Sequence, residues 1–489
     1  MLVTVTYMIL CSLGVTCLSV GTSIWYFQKY QRQQKKRRCV MIMSRYPSPG
    51  STKTRLIPTL GEKGAAVVQL YMTEKILDNI SGEAIQNPDV RIELMYSGVS
   101  ESKMDYWLGK RRQSTQLSWR PQAPGGLGDK LIAAFSTMFR EGVHQAVAVG
   151  SDIPELDSEI IEEAFSLLLS DDIFKNIDWG SEHVFEQQIE KARHLGVNIG
   201  ILRRTLSDVD SYDDLPVFEK AIGLSTTQLL HPSLSIIIPV YNEVDNIKET
   251  LETIVQHAKF KERLEIIVSD GGSTDGTKSA VGLFAHHNSV PIRVVDCQPG
   301  RGPQLMSGAS AAKGDNLLFL HADSVVPEDF DETLNECLQV PGNVGGAFAF
   351  DVDILYPELW TKSVPLLFSW KMKMIRKLTQ LRSCKLELPY GDQGLFMTRW
   401  TYDKVGGFDK VYLMEDYIMV EKLKQCGHVV IAPGSPVITS ARRWVENGAF
   451  KTSLLNLLIA TAYHLGVAPN TLARWYYGEK LKKILDEEK

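Results

Sequence analysis

The 489-residue sequence predicts an α/β protein, with two α/β units in tandem after an N-terminal transmembrane helix. Three observations predict it. Leu2 to Phe27 carries no charged residue and is followed at once by a basic run. Continuous apolar strands such as Leu234–Val240 alternate with stretches of helical period, the pattern of a mostly parallel sheet. A charge-poor stretch around Ser225 to Pro232 separates two such series. The length suits roughly two to three domains of ~150 residues, and 44% hydrophobic with 23% charged residues is ordinary for folded chains.

The bulk properties exclude some classes. A net charge of −5 and a pI near 6.1 give no basic field for a nucleic-acid partner. The seven cysteines (11, 17, 39, 297, 337, 384, 426) form no CxxC and no metal-type cluster. Scattered thiols fit a reducing compartment better than a disulfide framework.

Residues 1–28 read as a membrane anchor. The uncharged stretch exceeds the ~20 residues that span a bilayer, and Trp25, Tyr26 and Phe27 suit the interface. A basic juxtamembrane segment, 29–39, follows with Lys29, Arg32, Lys35, Lys36, Arg37 and Arg38. The positive-inside bias makes this a single-pass protein whose folded units face the cytoplasm. A signal peptide would carry its charge before the apolar core, and a transit peptide would be Arg-rich throughout.

Residues 40–222 form the first unit. Its expected elements are a strand near Val40–Met43, a helix over Leu60–Ile80 and a strand over Arg91–Tyr96. A buried strand over Gln145–Val149 and a helix over Ser158–Leu169 complete it. Residues 223–233 are a linker. The second unit, 234–470, opens on the strand Leu234–Val240, then a helix over Asp245–Ala258 and a strand over Leu264–Val268. A Gly-rich turn, another helix and the strand Asn316–Leu320 follow. Trp360–Leu381 mixes apolar and basic residues; it reads equally as a helix packed on the unit or as one lying on a membrane. Ser453–His464 and Leu472–Leu485 read as packing helices, the latter within a C-terminal segment, 471–489.

Four features of the second unit carry chemistry. Pro239-Val-Tyr241-Asn-Glu243 closes the first strand, where open α/β sheets bind ligands. Ser269-Asp270-Gly271-Gly272-Ser273-Thr274-Asp275 follows the second; its glycines admit a close ligand and Asp270 accepts hydrogen bonds from a base or ribose. Plain helix capping by Ser, Thr and Asp accounts for the same residues. His321-Ala-Asp323 closes a third strand, and Asp323 there suits Mn²⁺ or Mg²⁺, whose charge offsets a leaving diphosphate. A surface turn is the alternative. In Met414-Glu415-Asp416, one of two adjacent carboxylates can take a hydroxyl proton at ~3 Å. Asp416 is the first choice and Glu415 the second; the rival account is an acidic helix start.

With these motifs in order, residues 234–470 resemble a glycosyltransferase family 2 domain of the GT-A fold. More narrowly, Tyr390-Gly-Asp-Gln-Gly394, Met414–Asp416 and Ser440-Ala-Arg-Arg-Trp444 resemble the bacterial radical-SAM/selenodomain-associated transferase 2 group, linked to arsenosugar biosynthesis. The resemblance implies an inverting enzyme taking a nucleotide-sugar donor, metal-dependent, with Asp416 as base and Asp323 on the metal. Pro239, Tyr241, Glu243 and Asp270 would hold the donor, and Gly391, Asp392 and Gln393 would line the acceptor side. Arg442-Arg443-Trp444 stands where many relatives carry Gln-x-x-Arg-Trp, but Ser440 replaces the Gln. Arg443, Trp444 and Arg301 are candidates to grip the diphosphate. The acceptor is left open among a lipid, a glycan and a small metabolite.

The first unit resembles radical-SAM/selenodomain-associated transferase 1, a nucleotidyltransferase-like family that shares the GT-A topology. The likeness rests on Met43–Gly50 with Lys53 and Arg55, on Gly126–Lys130, on Gly150-Ser-Asp152-Ile-Pro154 and on Asp208-Val-Asp210. It implies two GT-A-like (Rossmann-like) domains. Lys53 and Arg55 would cradle phosphates, and Asp152 with Asp208 or Asp210 would hold a metal. Between the helix after Pro154 and Trp179 the family's usual strand and Asp-Gly-Gly-Tyr-Tyr motif have no room. The unit is then a non-catalytic remnant or a variant of the gene product. Nucleotidyl transfer feeding the second unit, and two non-catalytic scaffolds, are the rival functions.

Overall fold

The computed structural model describes residues 37–84, 90–111, 116–167, 190, 206–353, 366–442 and 448–478. The expected anchor, the stretch 169–179, Arg443 and Trp444 lie outside the described residues. No helix among the described residues is long and apolar enough to cross a membrane. The cysteines among them are free thiols.

The chain divides into two compact units that interleave in sequence. One takes the stretches up to Tyr46, Met72–Gly98 and Thr115–Val209; the other takes Pro47–Tyr71, Val99–Ser114 and everything from Asp210. Segments from the first third of the chain therefore pack with the second unit.

The first unit holds four parallel strands, β1 (Arg38–Arg45), β2 (Val90–Ser97), β3 (Leu117–Pro121) and β4 (Gln145–Gly150), in the order β3-β2-β1-β4. Helix Leu127–Arg140 buries Leu131, Ala134 and Met138, spaced for one helical face. Ala134 and Met138 pack with Cys39, Met41 and Met95. Glu93 is 1% exposed on β2. A buried carboxylate needs partners, and Arg91 and Arg120 supply them, with Arg120 Nε 2.6 Å away. Both arginines also reach Glu141, at 2.8 and 2.9 Å.

The second unit is built on a seven-stranded sheet. Its members are β5 (Leu234–Val240), β6 (Leu264–Asp270), β7 (Ile292–Asp296), β8 (Asn316–Phe319), β10 (Asn343–Ala347), β12 (Leu395–Thr398) and β13 (His428–Ile431). A separate sheet joins β9 (Ser324–Val325), β11 (Phe350–Asp353) and β14 (Val437–Ser440) in the order β11-β14-β9. The large sheet runs β13-β10-β12-β8-β5-β6-β7. β12 is antiparallel to both neighbours and every other pairing is parallel.

The uninterrupted apolar run of β5 follows from its burial on two faces. Ile236 and Ile238 pack with Ile247, Leu251 and Ile254 of helix Val244–His257. Ile237, between them, points to the opposite layer with Leu305 and Ala309 of helix Arg301–Ala311. The pairings Val240 with Asp270 and Ile237 with Phe319 bring the carboxyl ends of β5, β6 and β8 to one edge.

Expected and observed elements agree at β5 and within a few residues at β6, β8 and their helices. Trp360–Leu381 corresponds to a helix at Leu366–Lys385, which packs on the unit through one face. Met372 is buried with Phe350, Val352 and Ala441, whereas Trp370, Met374, Leu378 and Leu381 are exposed.

A long-range charge cluster joins Val99–Ser114 to the rest of the second unit. Glu387 accepts from Lys110 Nζ at 2.7 Å and from His428 Nδ1 at 2.6 Å, and Tyr106 stacks on His428 at 4.1 Å. Burial alone would raise the Glu387 carboxyl, but the hydrogen bonds from His428 and Lys110 outweigh it and hold it down at about 2, against 4.5. A carboxyl depressed by folding contributes stability above its unfolded pKa and loses it as pH falls through the folded one. Glu387→Gln should therefore lower stability at neutral pH by about 1–2 kcal/mol, after allowing for screening. Urea denaturation should show that deficit shrinking as pH falls from 4.5 towards 2.

Candidate functional site

At the edge where β5 and β8 end lies a cavity of about 360 Å³. Pro239, Tyr241, Glu243, Asp323, Glu415 and Asp416, all singled out from the sequence, line it. Arg301 and Asp392 line it too. Motifs that stand almost 180 positions apart thus meet at one strand edge.

The loops after β5 and β6 are laced together. Asn242 N–H donates to Ser273 Oγ at 2.9 Å, Thr274 N–H to Asn242 Oδ1 at 2.9 Å, and Glu243 N–H to Thr277 Oγ1 at 3.0 Å. Asp275 accepts from the N–H groups of Val244 and Thr277, both at 3.0 Å. Ser273, Asp275 and Thr277 therefore tie the two loops together, and the helix Thr277–His286 that follows has Gly276 and no side chain as its cap. Asp270 is different. Its Oδ1 accepts from Gly272 and Ser273 N–H at 2.8 and 2.7 Å, while its buried Oδ2 has no partner among the described residues. Asp270 does not line the cavity itself; it pairs in register with Val240, which does.

Gln304, which the sequence gave no reason to notice, fixes this edge. It is 5% exposed, and its Nε2 donates to Val240 O at 2.7 Å and to Ser269 O at 3.0 Å, tying the last turns of β5 and β6. Its helix is pressed against the 409–411 loop: a Cβ on Gly302 would stand 2.2 Å from Val411 O.

Glu415 and Asp416 open helix Glu415–Cys426, after Met414 at φ 70°. The acidic helix start is real, and the macrodipole favours it. The two carboxylates nevertheless have different surroundings. Glu415 is 3% exposed, 3.6 Å from Arg301. Burial first, then the charge of Asp416, raises its carboxyl to about 7 in spite of Arg301. Asp416 lines the cavity with Oδ2 held by Gly391 N–H at 2.6 Å and Oδ1 by Tyr417 N–H at 2.7 Å. A Cβ on Gly391 would approach His321 Nε2 to 3.2 Å and Asp416 Oδ2 to 3.3 Å, so this position favours a glycine.

Asp323 lies among charges. Burial and then the charge of Glu243 raise its carboxyl, opposed by Arg442 and Arg301. Arg442 Nη2 reaches both oxygens of Glu243, at 3.2 and 3.3 Å, and lines the cavity. It is the described member of the Arg-Arg-Trp run, whereas the sequence reading had placed the role on Arg443 and Trp444. Among the described residues no three His, Cys, Asp or Glu side chains gather as a metal cage.

Two expectations are corrected. Gln393 is wholly buried and its amide is spent inside the protein, donating to Phe348 O at 3.0 Å and accepting from Ser383 Oγ at 2.8 Å. It ties helix Leu366–Lys385 to the sheet and does not line the cavity, nor does Gly391. The first-unit candidates also divide. Lys53 and Arg55 pair with Asp210, at 2.7 and 3.4 Å, and all three belong to the second compact unit. Asp152 and Asp208 belong to the other, where the Asp152 carbonyl accepts from Val209 N–H at 2.9 Å.

Residues 235–404 match the family described as "Glycosyl transferase family 2", and residues 80–180 match one described as "Uncharacterized protein conserved in bacteria (DUF2064)". The chain is 36% identical over 93 residues to glycosyltransferase AglE of Haloferax volcanii, covering 19% of the chain and 31% of the relative. It is 32% identical over 109 residues to dolichyl-phosphate beta-glucosyltransferase of Drosophila melanogaster, covering 20% and 33%. The matched stretches thus span about a third of these relatives. Mannosyltransferase PcManGT from Pyrobaculum calidifontis, solved with GDP-Man and Mn²⁺, is similar with a TM-score of 0.34 and 21% identity, over 50% of this chain and 69% of that one.

Replacing Gln304 by Leu keeps the volume but removes the amide from both carbonyls, leaving Val240 O to the N–H of Gly271. An unmade buried hydrogen bond costs about 1–3 kcal/mol. Urea denaturation of Gln304→Leu should show a loss of that size; a loss under about 0.5 kcal/mol would mean the amide is dispensable.

Proposed function

We propose that the glycosyltransferase family 2 domain from about residue 234 is an inverting glycosyltransferase that moves a sugar from a nucleotide-diphosphate donor to an acceptor hydroxyl. One observation carries the reading. A single cavity at the carboxyl ends of parallel strands holds five carboxylates, Glu243, Asp323, Asp392, Glu415 and Asp416, with two guanidinium groups, Arg301 and Arg442.

The carboxylates divide by environment. Asp416 faces the cavity with its orientation fixed by two backbone N–H groups, and it is the base that takes the acceptor proton. Glu415, buried against Arg301, holds that arginine rather than a proton in flight. Attack from the Asp416 side displaces the nucleoside diphosphate and inverts the anomeric carbon. Arg301 and Arg442 are placed to meet developing phosphate charge. The unpartnered Oδ2 of Asp270 offers an acceptor for the base or ribose of the nucleotide.

A divalent cation fits this donor set. A diphosphate entering a cavity with more carboxylates than guanidinium groups needs a counter-charge, and burial has already raised Asp323 beside Glu243. Asp323 would hold Mn²⁺ or Mg²⁺, ions that take oxygen ligands and share them with phosphates and water. Bound there, the ion would offset charge on the leaving diphosphate.

Within the family, Tyr390–Gly394 and Ser440–Trp444 favour the radical-SAM/selenodomain-associated transferase 2 group. The uncharged segment to Phe27 and the basic run after it favour a single-pass anchor with the folded units in the cytoplasm.

Asp416→Asn should lower kcat for transfer by about 10²–10⁴-fold, the usual contribution of a general base. Donor binding, measured by calorimetry, should stay within about threefold of wild type, because no uniform binding contact is removed. Near-wild-type turnover would put the base elsewhere.

A further inference from the structure

Two helices of the second unit that pack against each other, Leu366–Lys385 and Ala449–His464, each leave an apolar stripe uncovered. In the first, Trp370, Met374, Leu378 and Leu381 recur at helical spacing and are 44–59% exposed. In the second, Leu457 and Leu458 are 64% and 57% exposed, while Thr452, Asn456 and Ile459 line the cavity. One helix thus has the candidate site on its inner side and bare leucines on its outer side. Exposed apolar stripes of this kind mark an interaction surface.

Charge identifies the partner. The chain carries 58 acidic residues and a net charge of −5, yet neither 366–385 nor 449–478 contains a single Asp or Glu. The first helix alone has six Lys or Arg, and Lys373 and Lys377 stand exposed beside the apolar stripe. Uncovered Trp and Leu flanked by Lys373 and Lys377, on helices that contain no acid, suit the interface of an anionic bilayer, while Arg376 is already paired with Asp351. An acidic protein groove would take the charge but has no use for the length of bare leucine on the second helix.

We propose that this helix pair docks the second unit on an anionic lipid surface. Taken with the transfer reaction above, on which this consequence alone rests, the acceptor reaches the cavity from the membrane and is a lipid headgroup hydroxyl.

The test is hydrogen exchange on the full chain, with vesicles of phosphatidylcholine alone or mixed with phosphatidylserine. Insertion of the apolar N-terminal segment is common to both, and the basic run after it is unchanged in the variant below, so the variant separates its hold from that of the helix pair. Segments 370–381 and 454–465 should gain protection with the mixed vesicles and lose it in high salt. Trp370→Glu combined with Leu378→Glu and Leu458→Glu should raise the anionic lipid needed by about tenfold or more. Unchanged exchange in β5 and β6 would show the variant folded. Equal exchange with both vesicle types would overturn the proposal. So would protection that rises with protein concentration in the absence of lipid, which would make the face a contact between copies of the chain. Neither result depends on turnover, so failure here and failure of the transferase reading are separable.

Discussion

An imbalance of charge governs the second unit. Five carboxylates and two guanidinium groups converge on one cavity of about 360 Å³, and burial makes their repulsion costly. The protein absorbs part of it by raising Glu415 to about 7 and by setting Arg442 on Glu243 and Arg301 beside Glu415. What is left over is an excess of negative charge at the place where the account puts a diphosphate. On the proposed reading a divalent cation would offset that excess, and the two arginines in the cavity offset part of it already.

Such a cluster persists only on a rigid frame. Parallel β5, β6 and β8 deliver their carboxyl ends to one edge, and the buried amide of Gln304 locks two of them. Gly391, with no side chain, lets its N–H come within 2.6 Å of Asp416. The small sheet β11-β14-β9 brings Arg442 in from the far end of the domain, just after β14, whose Ser440 N–H reaches Asp323 O at 3.2 Å. Each element is ordinary; their convergence makes the site.

Much of this was legible in the sequence. β5, β6 and β8 are β-branched or leucine-rich runs buried on both sides, which gives the strongest short-range signal a strand can have. The residues that close those strands, Glu243 and Asp323, and the start of the acidic helix at Glu415, were legible because ligands bind at carboxyl ends. The rest depended on long-range packing. The strands of the small sheet are two to four residues long, below what periodicity can resolve. Nothing local distinguishes Gln304 or Gln393, whose roles come from carbonyls far away in sequence. That Val99–Ser114 packs with the second unit follows from contacts such as Lys110 with Glu387, which no local pattern encodes. Nothing local singles out Arg442, whose contact with Glu243 spans 199 positions.

The central claim is that this cavity binds a nucleotide sugar and breaks its glycosidic bond. The most direct measurement is release of nucleoside diphosphate by the purified full chain across a panel of nucleotide sugars, with and without Mn²⁺. The account predicts metal-dependent release from one donor, saturable and competed by the matching free nucleotide. Absence of both release and nucleotide binding for every donor, by folded protein supplied with Mn²⁺, would contradict it.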